Sequence, residues 1–374
     1  MTYWHLALLN LSRRPARSLL TITAIAIAIA AIVSLTSIAW GFEASWQRAN
    51  DLRGTDLIVT RVASENTLPA AFVAGPVQVK VAAMPHVAQV AGLLSELLSV
   101  ADSAPMFVFG WERGSFLWDH LRLREGRFPR SDEERVIVLG TLAAGQVGKK
   151  VGDSVAMETE RYEIVGIFES PALVENGAVF MTLAQAQRLN DKPGKVNILN
   201  IKLDTSATEA DAGAIRDAVR NSMPGFAAIT SGQLVQQNAI VRIAKAMSAA
   251  TILIAGLVGA LGVLNTMLMS VNERTQEIGV LLALGWRRGR VMLLILLESM
   301  VVACAGGILG IVLGAAGVAT LERLPLLRGK IDGLFTPGLV FAAFGLAVML
   351  GVIGGLYPAM RASRLSPNAA LRHE

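Results

Sequence analysis

The sequence predicts an α-helical membrane protein with four transmembrane helices and a large extracytoplasmic α+β domain. The composition is apolar for a chain of 374 residues, with 53% hydrophobic and only 17% charged residues, and the mean hydropathy is +0.51. Four long stretches are almost free of charge, whereas the segment between the first two has an ordinary charge content. This pattern excludes a disordered or collagen-like chain and favours a protein of the lipid bilayer.

The four predicted spans are defined by missing charges. Uncharged stretches cover 18–42 and 246–272, a third over 291–321 is interrupted only by Glu298, and a fourth covers 333–360. Each is long enough, because about 20 apolar residues in a helix cross roughly 30 Å of hydrocarbon. The alternative, four helices buried in a soluble protein, would leave too much apolar surface to cover.

The distribution of Lys and Arg predicts the orientation. The short segments 1–18, 271–290 and 358–374 hold three, four and three of the 34 basic residues, which places them and both termini in the cytoplasm of a bacterium. Residues 43–245 hold 21 basic and 23 acidic residues, a balance expected of a large translocated domain. The protein is therefore expected in the cytoplasmic (inner) membrane, with this domain in the periplasm or outside.

The start of the chain also fits a cleaved secretory signal, because two arginines precede the first apolar stretch. That stretch has 25 uncharged residues, whereas the apolar region of a signal peptide has about 7–15. We therefore predict an uncleaved first span. The predicted segments are a cytoplasmic segment 1–18, span 19–42, extracytoplasmic domain 43–245, span 246–270, cytoplasmic loop 271–290, span 291–320, extracytoplasmic loop 321–337, span 338–357 and cytoplasmic tail 358–374.

The extracytoplasmic domain is predicted as a split βαβ (porter-like) subdomain that is interrupted by an inserted β-rich subdomain at about 106–189. Periodicity predicts strands over 56–62, 77–81, 198–203 and 227–229, and helices over 85–100 and 208–223. The second helix opens with a capping pattern, Thr208-x-x-Asp211. A helical pattern over 232–245 continues into the second span as a stalk.

The insertion has strand patterns over 106–109, 135–139, 153–157, 162–168 and 178–181. It is also rich in aromatic residues, which could form either a binding surface or the core of the subdomain. Alternation along a strand favours the core. These residues are Phe107, Phe109, Trp111, Phe116 and Trp118.

The sequence carries no pattern typical of an enzyme. The string nearest to a phosphate-binding P-loop, Gly145-x-x-Gly148-Lys149, lacks the required first glycine and the hydroxyl residue. The four histidines are scattered without metal-ligand spacing, and the single Cys304 allows no disulfide within the chain. We expect no catalytic residues, no metal, no cofactor bound by this chain and no nucleic acid partner.

The loop between the second and third spans carries the most specific pattern. Residues 274–286 predict a helix of about 8–10 residues with Ile278, Leu281, Leu282 and Gly285 along one face. Such a helix could present an apolar ridge to a groove on a partner, or it could be an amphipathic loop at the membrane surface. Both alternatives are open on the pattern alone.

The motifs resemble those of FtsX-like ABC transporter permeases with a MacB-type periplasmic domain. The loop reads Arg274-x-x-Glu277-Ile278-Gly279-x-Leu281-x-Ala283-x-Gly285, and the resemblance also covers 10–21, 123–127, 162–168, 306–314 and 357–372. It extends over almost the whole chain in the right order. The chain is therefore identified as a member of this family.

The resemblance implies a mechanism and partners. Two permeases, copies or paralogues, pair in the bilayer and bind a dimeric cytoplasmic ABC ATPase, which carries ATP and Mg²⁺. A periplasmic adaptor and an outer-membrane component are further possible partners. The ATPase is expected to be another polypeptide. The implied coupling contacts are Arg274, Glu277, Ile278, Gly279, Leu281, Ala283 and Gly285.

Two further features concern the spans. Glu298 either reaches the cytoplasmic interface or pairs with a loop arginine, or it helps to lock the loop helix against the third span. Gly306, Gly310 and Gly314 form a smooth helix face, which we expect to pack the third span against the fourth. The family resemblance implies a dimer seam at the first two spans, which offer Ala24, Ala28, Ala31, Gly256, Gly259 and Gly262.

Two functions are compatible with this sequence. The first is an ATP-driven exporter or extractor of a periplasmic or outer-leaflet substrate, such as a lipoprotein, peptide, lipid or drug. The second is an FtsX-type signalling subunit that regulates a cell-wall hydrolase or a sensor. The large two-part external domain favours the first function.

Overall fold

The computed structural model describes residues 15–62, 69–101, 105–237, 239–324 and 333–366. The chain divides into two compact units. We call the unit formed by residues 1–39, 245–320 and 333–374 the membrane unit, and the unit formed by residues 40–244 and 321–332 the sheet unit.

The helices and strands alternate most densely between residues 57 and 237. The helices are α1 (Pro15–Leu52), α2 (Ala74–Ala82), α3 (Thr141–Val147), α4 (Leu173–Asn176), α5 (Leu183–Leu189), α6 (Glu209–Ser222), α7 (Ser231–Gln237), α8 (Ala239–Glu273), α9 (Thr275–Ala283), α10 (Arg288–Arg323) and α11 (Pro337–Ser363). The strands are β1 (Leu57–Arg61), β2 (Phe72–Val73), β3 (Val87–Leu98), β4 (Met106–Trp111), β5 (Arg122–Gly126), β6 (Val136–Gly140), β7 (Ser154–Met157), β8 (Glu160–Glu169), β9 (Val179–Thr182), β10 (Lys195–Val196), β11 (Ile198–Leu203) and β12 (Phe226–Ile229).

Four of the helices, α1, α8, α10 and α11, are long and apolar enough to cross a membrane, which confirms the predicted fold class. They have 38, 35, 36 and 27 residues. All four are longer than their predicted spans, and the largest extensions are those of α1, which continues to Leu52, and of α8, which begins at Ala239 within the predicted stalk. The last one, α11, starts where Thr336 accepts a hydrogen bond from the Leu339 N–H and Pro337 occupies the first turn.

The sheet unit is built on one ten-stranded mixed sheet. Its order is β12-β1-β11-β3-β4-β9-β6-β8-β5, and β7 also pairs with β8. The pairs β4–β9 and β6–β8 are parallel, and the other pairs are antiparallel. Because β3 and β4 pair over six residues, from Leu93 with Trp111 to Leu98 with Met106, the insertion continues the sheet of the split βαβ part.

Two local predictions are wrong. Residues 77–81 belong to helix α2, and residues 87–98 form strand β3. In α2, Val77 and Val81 are buried whereas Val79 is 70% exposed, so helical spacing prevails over the alternating pattern. In β3, residues 91–95 are all buried. A strand that is covered on both faces loses its alternation, which is why its apolar spacing resembled that of a helix.

Three apolar clusters cover the sheet. One contains the aromatic side chains of β4 together with Trp46 of α1 and Phe180 of β9. The second packs α3 against β6 and β8, and the third packs α2 and α6 against β1 and β11. Since Phe109 and Trp111 are only 1% and 0% exposed, the β4 aromatic residues form a core. The capping box that opens α6 is also present, with Thr208 and Asp211 bonded reciprocally.

Candidate functional site

The loop between the second and third spans forms helix α9, which ends at a glycine for a clear reason. Gly285 has a φ of +89°, a conformation that residues with a Cβ rarely adopt. Its N–H donates to the Leu282 carbonyl, and the Trp286 N–H donates to the Leu281 carbonyl, both at 3.1 Å. This is a Schellman motif, which fixes where α9 stops and where the chain turns towards α10.

One face of α9 packs inward. Ile278 is only 6% exposed and lies in a cluster with Val271 of α8, Val291 of α10 and Ala359 of α11. Leu282 packs against the same cluster, and Gly279 is buried. The helix is thus seated on the ends of three membrane helices. Ile278 and Gly279 therefore lie on the buried face of α9 and are not accessible to a partner in this structure.

The opposite face of α9 is exposed. The side chain of Glu277 is 56% exposed, and Val280 and Leu284 are 44% and 75% exposed. Leu281 is half-buried, and Ala283 is exposed together with Gly285. Positions 277, 280, 281 and 284 are neighbours on a helix surface. The accessible face consequently differs from the predicted ridge of 278, 281, 282 and 285, because residues 278 and 282 hold the helix to its own chain.

An ion pair anchors the start of α9. Arg274 donates through Nη1 to Glu298 Oε1 at 2.8 Å and through Nε to Glu277 Oε2 at 3.0 Å. Glu298 is 5% exposed. Burial opposes ionisation of Arg274, but the two carboxylates outweigh it and raise the pKa of Arg274 above its usual value. Glu298 thus pairs with a loop arginine, and its role in coupling stays a prediction.

The glycine face of α10 packs against α1, so the prediction that it faces the fourth span is wrong. A Cβ on Gly310 would lie 2.7 Å from both the Ala26 carbonyl oxygen and the Ile29 Cβ. Gly306 and Gly314 meet the same helix. Only glycine permits this approach. The third and fourth spans are instead joined through other small residues, including Gly307 against Ala347 and Gly351 against Ala303.

The glycines of α8 are packed more loosely. A Cβ on Gly259 would lie 3.3 Å from a Leu350 methyl and 3.8 Å from the Ala28 Cβ, and those on Gly256 and Gly262 would have no neighbour closer than 4.0 Å. Ala24 is the neighbour of Gly262, whereas Ala31 is exposed. The outer face of α8 is apolar, and Leu253, Leu257 and Leu261 are 65%, 58% and 60% exposed. An apolar helix face of this kind is suited to contact with lipid or with another membrane helix.

Within the described ranges, no three His, Cys, Asp or Glu side chains lie close enough together to hold a metal ion.

Two exposed residues of this region were not predicted from the sequence. They are Val280 on the exposed face of α9 and Leu284 at its end. These two residues share a helix face with Glu277. That face could be selected only with the knowledge that Ile278 is buried.

Comparison with known proteins identifies the class. The family model of the MacB-like periplasmic core domain matches residues 18–222, and that of the FtsX-like permease C-terminal region matches residues 249–367. Together they define an ABC transporter permease. More particularly, the chain belongs to the MacB-type family, since the first of the two models alone matches more than half of the chain.

Two relatives and one solved structure are similar to parts of this chain. The chain is 27% identical over 390 aligned residues to the macrolide export ATP-binding/permease protein MacB of Nitrosomonas europaea, which covers 96% of this chain and 57% of that protein. It thus spans little more than half the length of this relative. An ABC transporter permease of Methanocaldococcus jannaschii is 26% identical over 267 residues, covering 67% of this chain and 66% of that protein. The periplasmic region of MacB from Actinobacillus actinomycetemcomitans has a TM-score of 0.38 at 12% identity and covers 50% of this chain and 94% of that one.

Proposed function

We propose that this chain is the permease subunit of an ABC transporter that binds a separate cytoplasmic ATPase and converts ATP hydrolysis into motion of its extracytoplasmic domain. The motion drives export or extraction of a periplasmic or outer-leaflet substrate, such as a lipoprotein, peptide, lipid or drug. One observation carries the proposal: α9 is anchored on one face and presents Glu277, Val280 and Leu284 on the other. Membership of the MacB-type family supports it.

The anchoring of α9 suggests how a movement of the ATPase reaches the membrane helices. Ile278 and Leu282 pack on residues of α8, α10 and α11, and Arg274 is bonded to Glu298 inside α10. A push on the exposed face of α9 is therefore passed to three helices at once, because the buried face of α9 contacts all three. Arg274 and Glu298 act here as positioning residues and do not themselves contact the ATPase.

The partners follow from this proposal. ATP and Mg²⁺ bind to the ATPase, and a second permease copy or paralogue completes the membrane dimer. The segments 1–18, 271–290 and 358–374 lie in the cytoplasm, as their arginines indicate, and residues 43–245 lie outside the inner membrane. An adaptor and an outer-membrane component would extend the export route of a macrolide-type exporter.

The test is purification of the tagged protein in mild detergent, followed by mass spectrometry of bound proteins and an ATPase assay. We expect an ABC ATPase that is retained by wild type and lost in Glu277→Ala and Leu281→Asp. Val79→Asp is the control for Leu281→Asp, because it introduces the same charge at an apolar residue of a helix that lies in the sheet unit.

The proteins that copurify distinguish the two functions. An adaptor bound together with the ATPase supports export, whereas a cell-wall hydrolase or a sensor would favour the FtsX-type signalling function. Absence of any ATPase from wild-type material would contradict both.

A further inference from the structure

A fully buried ion pair joins the end of α1 to the insertion. Arg53, which directly follows α1, donates through Nε to Glu175 Oε1 of α4 at 3.0 Å, and the two side chains are 2% and 0% exposed. The second carboxylate oxygen, Oε2, lies 2.8 Å from His120 Nε2 and accepts from Ser170 Oγ at 2.6 Å. These four residues, Arg53, His120, Ser170 and Glu175, are called the stalk joint below.

The guanidinium of Arg53 is held from several sides. Its Nη1 donates to Asn50 Oδ1 at 3.2 Å, and its Cζ lies 5.3 Å and 5.1 Å from the ring centres of Phe109 and Trp111. Cation–π contacts of this kind are strongest where water is excluded. The charge is thus fixed between the end of α1, strand β4 and helix α4.

A second attachment lies earlier along the same helix. Ser45 Oγ accepts from the Val174 N–H at 3.0 Å, and Trp46 packs edge-on against Phe107 at 5.2 Å. Ser45 and Arg53 are eight residues apart, which is about 12 Å along a helix, yet both bond to α4. Two attachments at different heights restrict both the rotation and the sliding of this part of α1 against the insertion.

Stability alone does not account for the stalk joint. Desolvation of two buried charges opposes folding, and apolar side chains of similar volume often stabilise such a site equally well. Charged hydrogen bonds differ from apolar packing in being directional, so they select one geometry. A joint that must keep a fixed angle is therefore better made from an ion pair than from methyl groups.

We propose that the stalk joint makes the end of α1 and the insertion move as one rigid body. The end of α1, from Trp40 to Leu52, belongs to the sheet unit together with the insertion, so the joint lies within one compact unit. Any displacement that the joint transmits rests on the proposed function, whereas the rigidity of the joint does not.

The test measures one distance in the full-length protein. Gln47 and Lys149 are exposed, the first on α1 and the second in the insertion. Spin labels are attached to Gln47→Cys and Lys149→Cys in a Cys304→Ala background, since Cys304 is the only native cysteine. The distribution of distances between the labels is recorded in detergent by pulsed electron–electron double resonance.

We expect a single narrow distance in the parent protein. The double variant Arg53→Met/Glu175→Leu removes both charges with little change in volume, so it should fold, but it should lose the narrow distance and show a broad or second component. Glu169→Gln breaks the exposed pair of Arg124 and Glu169 and is the matched control, for which the distance should stay narrow. A merely stabilising ion pair would leave the double variant narrow as well.

Two outcomes would overturn the proposal: a broad distance in the parent protein, or a double variant as narrow as the parent. A further measurement, with the ATPase bound and ADP trapped by vanadate, should give the same distance as the nucleotide-free state, and a different distance would also overturn the proposal. Failure of the ATPase to bind would count against the proposed function only, because the detergent measurement decides the rigidity of the joint by itself.

Discussion

At the scale of single residues, the carboxylate of Glu175 is fully buried and paired. Glu175 is 0% exposed and bonds to Arg53, His120 and Ser170. Glu175→Gln leaves the charge of Arg53 buried without its counter-charge, so we expect the free energy of unfolding to fall by about 3–5 kcal/mol. Denaturant titration of the full chain, followed by the fluorescence of the nearby Trp111 and Trp118, measures this change.

The matched control for this substitution is Glu169→Gln. The pair of Glu169 with Arg124 is exposed, with side-chain exposures of 43% and 62%, so its loss should cost about 0–1 kcal/mol. Equal losses in the two variants would show that burial of the ion pair has no special consequence.

The same carboxylate should make stability depend on pH. Burial by itself raises the pKa of Glu175, but Arg53, His120 and Ser170 outweigh it and lower the pKa below its ordinary value of 4.5. The stability gained from this shift is complete above the ordinary pKa and is lost as the pH falls through the lower pKa of the folded protein. The stability difference between wild type and Glu175→Gln should therefore be large at neutral pH and shrink below about pH 4.5. A difference that is unchanged down to pH 3, measured by the same titration, would contradict the charged state of Glu175.

At the scale of secondary-structure elements, the contact between α1 and α10 depends on the absence of side chains. Gly310→Ala adds a Cβ that would lie 2.7 Å from the Ala26 carbonyl oxygen and the Ile29 Cβ. We expect the helices to be forced apart at a cost of about 1–3 kcal/mol. Gly345→Ala is the control, because a Cβ at Gly345 meets nothing within 4 Å. Thermal unfolding in detergent, monitored by size-exclusion chromatography, should show a lower midpoint for Gly310→Ala only.

The attachment of α9 gives a second prediction at this scale. Glu298→Gln leaves Arg274 facing a neutral side chain. We therefore expect ATP hydrolysis by the bound ATPase to become independent of the substrate or partner, while the permease still binds the ATPase. The double variant Arg274→Gln/Glu298→Gln removes both charges and should be less impaired than the sum of the single variants, because paired charges are not additive. Strictly additive effects on the coupled ATPase rate would show that the two side chains act independently.

Helices and caps could be predicted from the sequence where their residue types are dictated locally. The four apolar helices and the capping box of α6 follow from local sequence, since bilayer length and helix termini impose their own residue types. Helix α2 was predicted as a strand because its valines alternate along the sequence. Strand β3 was predicted as a helix because its central residues are buried on both faces. The burial of these two segments cannot be read from either segment alone.

At the scale of the whole molecule, the sequence predicted the four long apolar helices and the MacB-type family but not the contacts across the fold. Arg53 and Glu175 are 122 residues apart, and neither lies in a recognisable motif. Their pairing depends on the β3–β4 contact that makes the sheet continuous. Contacts between distant segments also explain the second difference. The sequence predicted Ile278 on the accessible face of α9, although the ends of three other helices bury it.

The measurement that tests the central claim most directly is photo-crosslinking from single sites in cells. Leu284, which directly follows α9, and Val79 on α2 are apolar and similarly exposed, at 75% and 70%. We predict that a photo-reactive residue at 284 forms an adduct with a cytoplasmic ABC ATPase, whereas the same residue at 79 does not. An ATPase adduct from position 79, or none from position 284, would contradict the assignment of α9 as the ATPase-binding element.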